Sequence, residues 1–139
     1  MLRQLGEDPP AADAKRLLGV VIDMPVPDGW DTLAVYEDGS CRYLNVSGAV
    51  AICEAGDADI AAQVENVLEP AREIVLQIGP WDGPRPPLAA GQARLSFLCP
   101  SGLHFGQGNI GLLMQSFEQV RAVIGAGIGL IQLLAARET

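Results

Sequence analysis

The stretch TLAVYEDGSCRYLNV, residues 32–46, decides the fold because it places a turn signal between two apolar, alternating runs. Asp38-Gly39 in such a setting is the strongest short-range signal for a tight β-hairpin. A two-residue turn at this point predicts that Tyr36 pairs with Cys41. The predicted faces carry Leu33, Val35, Leu44 and Val46 on one side and Ala34, Tyr36, Cys41 and Tyr43 on the other. Neither face is polar, so we expect both to be covered at least in part.

The segments on either side of the hairpin extend the pattern. A Ser-Gly turn leads into residues 49–53, a third strand, so residues 32–53 predict a three-strand meander. Upstream, residues 8–24 predict a helix, because Asp8 is a capping carboxylate followed by prolines that suit a first helical turn. Apolar residues then recur at helical spacing, and Pro25 prevents the helix from continuing.

Residues 57–78 carry the clearest helical pattern of the chain. An aspartate N-cap opens this segment, a Gly-Pro pair ends it, and its apolar residues keep one face for about five turns. Pro70 lies inside the run while the face continues in phase, which predicts one kinked helix. Residues 79–92, rich in proline and glycine, predict a long loop.

A hairpin over residues 93–106 and a helix over residues 109–137, with Asn109 as its N-cap, complete the elements. If the hairpin turn has three residues, Cys99 and His104 point to opposite faces of the sheet. The core side of the hairpin is then Leu95, Phe97, Cys99, Leu103 and Phe105.

These elements predict an α+β fold, an antiparallel sheet of about five strands with helices packed on it, in the order α-β-β-β-α-β-β-α. The chain has the length of one domain, so we expect a single domain over residues 1–139. The element order and the acidic charge resemble those of small bacterial secretion chaperones, and the order is similar to that of roadblock and profilin-like domains. This resemblance covers the whole chain and implies a dimeric protein that binds other proteins.

The charge balance excludes several classes of partner. Seventeen acidic residues against nine basic ones give a net charge of −8, which repels phosphate backbones and anionic membranes. Three cysteines without CxxC spacing, and an N-terminus without an apolar signal core, favour a reducing bacterial cytoplasm. The apolar residues 122–136 would form a helix of about 22 Å, shorter than a bilayer core of roughly 30 Å. We therefore interpret them as part of a buried helix and expect neither a nucleic-acid partner nor a membrane.

Motifs for chemistry are weak. Residues 106–111, GQGNIG, match the G-x-G-x-x-G pattern of dinucleotide-binding loops. The chain after them is predicted as helix, with no second parallel strand, so we interpret these glycines as serving a bulge and a helix cap.

Cys99 and His104 would form a nucleophile–base pair only if they shared a face. The cysteines lack the close pairs of structural zinc sites, so we expect no catalytic set, cofactor or metal.

Contact residues are expected in two places. Residues 84–87, PRPP, have the spacing of polyproline ligands, and Trp81 beside them is a candidate anchor for a contact. The candidate binding residues are Trp81, Arg85, His104, Gln107 and Asn109. Gly125 and Gly129 form a small-xxx-small pair that permits close helix packing, within the domain or across a dimer axis.

The leading functional hypothesis is a non-catalytic, homodimeric protein-binding module, an adaptor or a chaperone-like protein. The alternative is a small-molecule-binding protein or a small enzyme, with a pocket between the 79–92 loop and the 104–109 turn. The sequence leaves open whether any catalysis occurs.

Overall fold

The computed structural model describes residues 14–137, which form a six-stranded antiparallel sheet with helices packed on it. The strands are β1 (Gly19–Val26), β2 (Gly29–Tyr36), β3 (Cys41–Leu44), β4 (Val50–Cys53), β5 (Gln92–Cys99) and β6 (Gly102–Asn109). The helices are α1 (Ala58–Val75), α2 (Ile110–Ser116) and α3 (Glu118–Arg137). Across the sheet the strands follow the order β4-β3-β2-β1-β5-β6. The predicted α+β class with an antiparallel sheet is confirmed.

The prediction of a helix over residues 8–24 is wrong for residues 19–24, because Gly19–Val26 forms β1. Residues 8–13 lie outside the described residues. Val20 and Ile22 are buried on the core face, in the alternation of a strand. The apolar spacing fits either period, and the β-branched residues favour the strand. Because β1 pairs with β2 on one side and β5 on the other, the sheet has six strands instead of about five.

The β2–β3 hairpin is present, but its register differs by one residue from the prediction. Val35 pairs with Cys41, whereas a two-residue turn would have paired Tyr36 with that cysteine. The turn has three residues, closed by the Tyr36 amide donating to the Ser40 carbonyl at 3.0 Å, and Gly39 in it has φ 92°. A left-handed last residue is usual in three-residue hairpin loops. On β3 the shift places Cys41 and Tyr43 on the core face and Arg42 and Leu44 on the opposite face.

The β5–β6 hairpin also differs by one residue, in the opposite sense. Its turn has two residues instead of three, so Phe97 pairs with His104. The prediction that Cys99 and His104 occupy opposite faces is therefore wrong, because both point to the core face. Leu103 and Phe105, predicted to be core residues, lie on the opposite face.

Helix α1 confirms the predicted helix over 57–78 except for its last turn. The side chain of Asp57 caps it by accepting hydrogen bonds from the backbone amides of Asp59 and Ile60, both at 3.0 Å. The helix continues through Pro70 as one element. Its buried face consists of Ile60, Val64, Val67, Leu68, Ala71 and Val75.

The predicted helix over 109–137 is in fact two helices, separated at Phe117, whose backbone is extended with φ −130° and ψ 108°. Asn109 is confirmed as the N-cap of α2, since its side-chain oxygen accepts from the Leu112 amide at 3.1 Å. The Phe117 carbonyl accepts from the Arg121 amide at 3.1 Å and so begins α3. The sequence has no proline or glycine at this break, so it gives no local signal for it.

Helices α1 and α3 pack side by side over one face of the sheet and close the core. Gly127 on α3 faces the strands, since a Cβ there would lie 3.2 Å from Ile22 Cδ1 and 3.3 Å from Leu33 Cδ2. A glycine at this position therefore lets the helix backbone approach the sheet closely.

Helix α3 is long and apolar enough to cross a membrane by length and composition, with a mean hydropathy of 1.5. It has 20 residues because it begins at Glu118, before the apolar run. In this fold one of its faces packs into the core, through Val120, Val123, Ile124, Gly127, Leu130 and Leu134. The expected burial thus holds for one face, whereas Gly125 and Ile128 are exposed on the other.

Candidate functional site

The loop between α1 and β5 covers the β5–β6 end of the sheet on the face away from the helices. The Trp81 amide donates to the Leu103 carbonyl at 2.7 Å, and the Trp81 ring meets Phe105 edge-on with 5.3 Å between centroids. The Arg85 guanidinium lies 5.6 Å from the centre of the Phe105 ring and donates to the Ser96 hydroxyl. Trp81 and Arg85, two predicted contact residues, thus meet around one aromatic ring.

Gln107 belongs to the same cluster. Its amide oxygen accepts from Arg94 Nε at 2.8 Å, and its Nε2 donates to the Pro86 carbonyl at 3.3 Å. Arg94 also donates to the Pro86 carbonyl. These contacts fasten the 79–92 loop to the sheet where the sequence predicted a pocket, and residues 104–109 are strand, not turn.

His104 is fully buried on the core face and does not reach the surface as a contact residue. Its Nδ1 lies 3.1 Å from the Gly102 carbonyl, and its Nε2 has no hydrogen-bond partner among the described residues. Cys99 shares this face, and burial raises the pKa of its thiol, opposed by the charge of Lys15. An activated cysteine needs a lowered pKa and an accessible sulfur. Sharing a face therefore does not make these two residues a nucleophile–base pair.

The G-x-G-x-x-G run spans the end of β6 and the start of α2. Gly106 and Gly108 belong to the strand, and Gly111 lies in the first turn of a seven-residue helix. Within residues 14–137 no parallel strand follows this helix. The run therefore lacks the strand–helix–strand setting of a dinucleotide site.

Gly125 and Gly129 have different surroundings. A Cβ at Gly129 would lie 2.8 Å from Nε2 of Gln63, which donates to the Ala126 carbonyl at 3.0 Å. Gly129 therefore serves packing between α3 and α1 inside the domain. A Cβ at Gly125 would meet no atom within 4 Å, and this residue lies on the exposed surface of α3.

A groove of about 500 Å³ lies on the helix-covered side of β5 and β6, and we call it the β5–β6 groove. Its apolar lining includes Ile78, Leu95, Phe97, Gly106, Leu113 and Val120. Its polar lining residues are Gln77, Ser116, Glu118 and Gln119. Sequence reasoning missed it because it requires the break between α2 and α3 and the true parity of the hairpin.

Three large apolar side chains are exposed at the β4 end of the sheet, on the face away from the helices. Leu44, Val50 and Ile52 are 46%, 58% and 57% exposed, and we call them the β3–β4 patch. Leu44 pairs directly with Val50, and Ile52 follows two residues later on the same face. The alternation was visible in the sequence, but the wrong hairpin register assigned Leu44 to the side of Leu33, which is the core side.

No group of three or more histidine, cysteine, aspartate or glutamate side chains within residues 14–137 is arranged to hold a metal ion. No protein-family model matches the chain, and no curated protein or solved structure shows significant similarity to it. The resemblance in element order therefore gains no support from these comparisons.

Proposed function

We propose that the protein is a non-catalytic protein-binding domain that forms a homodimer through the β3–β4 patch and the outer edge of β4. The observation that carries this proposal is the exposure of Leu44, Val50 and Ile52 together at one end of the sheet. Contiguous apolar side chains on the surface of a soluble domain mark contact sites more often than isolated ones do.

The two edges of the sheet differ in a way that supports β4 as the contact edge. The edge strand β6 is partly shielded, because the Trp81 amide bonds to its Leu103 carbonyl. Strand β4 has no strand beyond it among the described residues, and Val50–Cys53 contains neither proline nor charge. Natural edge strands usually carry such protection unless they pair with another chain.

A second copy of the same chain fits this edge by symmetry. In an antiparallel pairing about a two-fold axis, with Ala51 opposite its own counterpart, Val50 of one copy lies opposite Ile52 of the other. The two patches would then join into one apolar surface. Glu54 would lie opposite Gly48, so the pairing sets no like charges against each other.

Sedimentation velocity of the purified chain tests the proposal, with three proteins compared at equal concentration. We expect a dimer for the unaltered chain and a monomer for the Ile52→Lys variant, which puts a charge into the seam. Ile128→Lys is the matched control, because Ile128 is also an exposed isoleucine but lies on the outer surface of α3. It should remain a dimer.

Since each copy carries a net charge of −8, dimerisation should strengthen from 20 mM to 500 mM salt as repulsion is screened. A monomer at every concentration, or dissociation in Ile128→Lys but not in Ile52→Lys, would overturn the proposal.

A cytoplasmic location is part of the same proposal. Its support is the odd number of cysteines, three in all, which leaves at least one thiol without a disulfide partner inside the chain.

A further inference from the structure

The β5–β6 groove has the size and lining of a ligand site. Its volume of about 500 Å³ lies within the range of roughly 300–1,000 Å³ typical of small-molecule sites. Leu95 and Phe97 on β5 form part of an apolar base, and Leu113 on α2 adds an apolar wall. The groove therefore offers an apolar surface to a hydrocarbon body.

Gly106 is the reason for the open space on the strand side. It lies on β6 opposite Leu95, where any larger residue would project into the groove. A Cβ at this position would meet no atom within 4 Å. The space at Gly106 is thus unfilled by the protein's own side chains.

The lining of the groove carries charge of one sign, although two cations lie nearby. Glu118 is the only charged lining residue, and no lysine, arginine or histidine among the described residues lines the groove. Two nearby cations are bound to backbone carbonyls instead: Lys15 Nζ donates to Ile78 O at 2.9 Å, and Arg121 donates to Met114 O at 3.4 Å. The lining offers no cation to pair with an anionic ligand, whereas the Glu118 carboxylate can pair with a cationic head group.

We propose that the β5–β6 groove binds a small organic cation, an amine whose apolar body lies against Leu95 and Phe97 and whose ammonium group meets Glu118. Ser116 and Gln119 also line the groove, and their side chains carry oxygens of the kind that accept ammonium protons. This ligand site is separate from the proposed dimer surface, which lies at the β4 end of the sheet.

Isothermal titration with three probes of equal chain length tests the proposal: n-octylammonium, 1-octanol and octanoate. We expect n-octylammonium to bind about tenfold more tightly than octanoate, because a charge pair with the exposed Glu118 is gained and a repulsion is avoided. The neutral alcohol should lie between them. If octanoate binds as tightly as n-octylammonium, or if no probe binds, the proposal is wrong.

Two variants separate the apolar and the charged parts of the site. Gly106→Leu should fill the groove and abolish binding of all three probes, with circular dichroism checking that the fold is kept. Glu118→Gln should retain binding of 1-octanol while reducing the affinity for n-octylammonium to that for the alcohol. Asp28→Asn is the control, since it removes the same charge from an exposed residue that does not line the groove. If Glu118→Gln binds n-octylammonium as tightly as the unaltered chain, the ammonium group does not pair with Glu118. This conclusion holds whether or not Gly106→Leu abolishes binding.

Discussion

Cys41 lies directly opposite Cys53 on the neighbouring antiparallel strands β3 and β4, and both are free thiols. Burial raises the pKa of the Cys41 thiol to about 12, and the adjacent Cys53 adds to this effect. Opposed residues in an antiparallel pair have Cα atoms about 4.5–5.5 Å apart, a separation that disulfides also use. The two thiols are therefore positioned to be joined across the strands.

We expect mild oxidation with diamide to link Cys41 to Cys53, because Cys53 is only partly buried and lies opposite Cys41. Cys99 should stay free, because it lies on β5 and has no cysteine opposite it. Peptide mapping by mass spectrometry under non-reducing conditions checks this. Cys53→Ser should abolish the linked peptide and leave two unlinked thiols. A link between Cys99 and either partner would contradict the observed strand order.

Stability should fall at alkaline pH because of two acids on β3, the buried Cys41 thiol and the half-buried Tyr43 hydroxyl. The Tyr43 hydroxyl donates to Asp31 at 2.8 Å. Burial, then this bond and the charge of Asp31, raise the pKa of Tyr43 to about 12. In the unfolded chain tyrosine and cysteine ionise at roughly 10 and 8.5. Between about pH 9 and pH 12 the unfolded chain therefore loses protons that the folded chain retains, so the free energy of unfolding decreases as pH rises.

Thermal melts at pH 8, 9.5 and 11 measure this effect, and Tyr43→Phe should show a shallower decline in melting temperature than the unaltered chain. Tyr36→Phe is a control, because Tyr36 lies on the other face of the sheet and makes no bond to Asp31. Equal declines in the two variants would refute the role of Tyr43.

The glycines of α3 should respond to alanine according to the space around them. Gly125→Ala should raise the free energy of unfolding by about 0.5–1 kcal/mol, because alanine favours a helix and nothing lies within 4 Å of the new methyl group. Gly127→Ala should lose that gain, because its methyl group would press on Ile22 and Leu33 at 3.2 and 3.3 Å. Urea denaturation compares the two, and the prediction is wrong if Gly127→Ala is as stable as Gly125→Ala.

The 79–92 loop should loosen when its aromatic anchor is removed. Phe105→Ala takes away the ring that Trp81, Arg85 and Arg94 contact. We expect faster amide exchange in the loop and a loss of about 1–3 kcal/mol of stability. Hydrogen exchange with mass spectrometry resolves the loop peptides. Leu112→Ala, at an exposed leucine on α2, should leave their exchange unchanged.

Elements with strong local signals were predictable from the sequence. The α1 helix was found from its Asp57 cap and its periodic apolar face, and the Asp38-Gly39 turn was found as a hairpin. The register of that hairpin was not predictable, because Asp-Gly can form a two-residue turn or the last two residues of a three-residue turn. An error of one residue in the predicted register assigned each β3 side chain to the wrong face of the sheet. The β3–β4 patch was therefore not predicted.

Elements decided by tertiary packing were not predictable. The apolar spacing in β1 suits a helix when read alone, and the strand forms because β2 and β5 supply hydrogen-bond partners on both sides. The break at Phe117 has no local cause in the sequence. Since the β5–β6 groove depends on that break, it was beyond sequence reasoning as well.

The central place of β1 also determines when the chain can finish folding. Val20 pairs with Val35, 15 positions away, and with Phe97, 77 positions away. During synthesis the first four strands emerge long before β5, leaving one side of β1 and an apolar sheet surface open to solvent. Such long-range closure makes folding slow and exposes the nascent chain to aggregation. Fragments that end before Gln92 should therefore be insoluble, and a chaperone that shields β1 would raise the yield of the full-length chain.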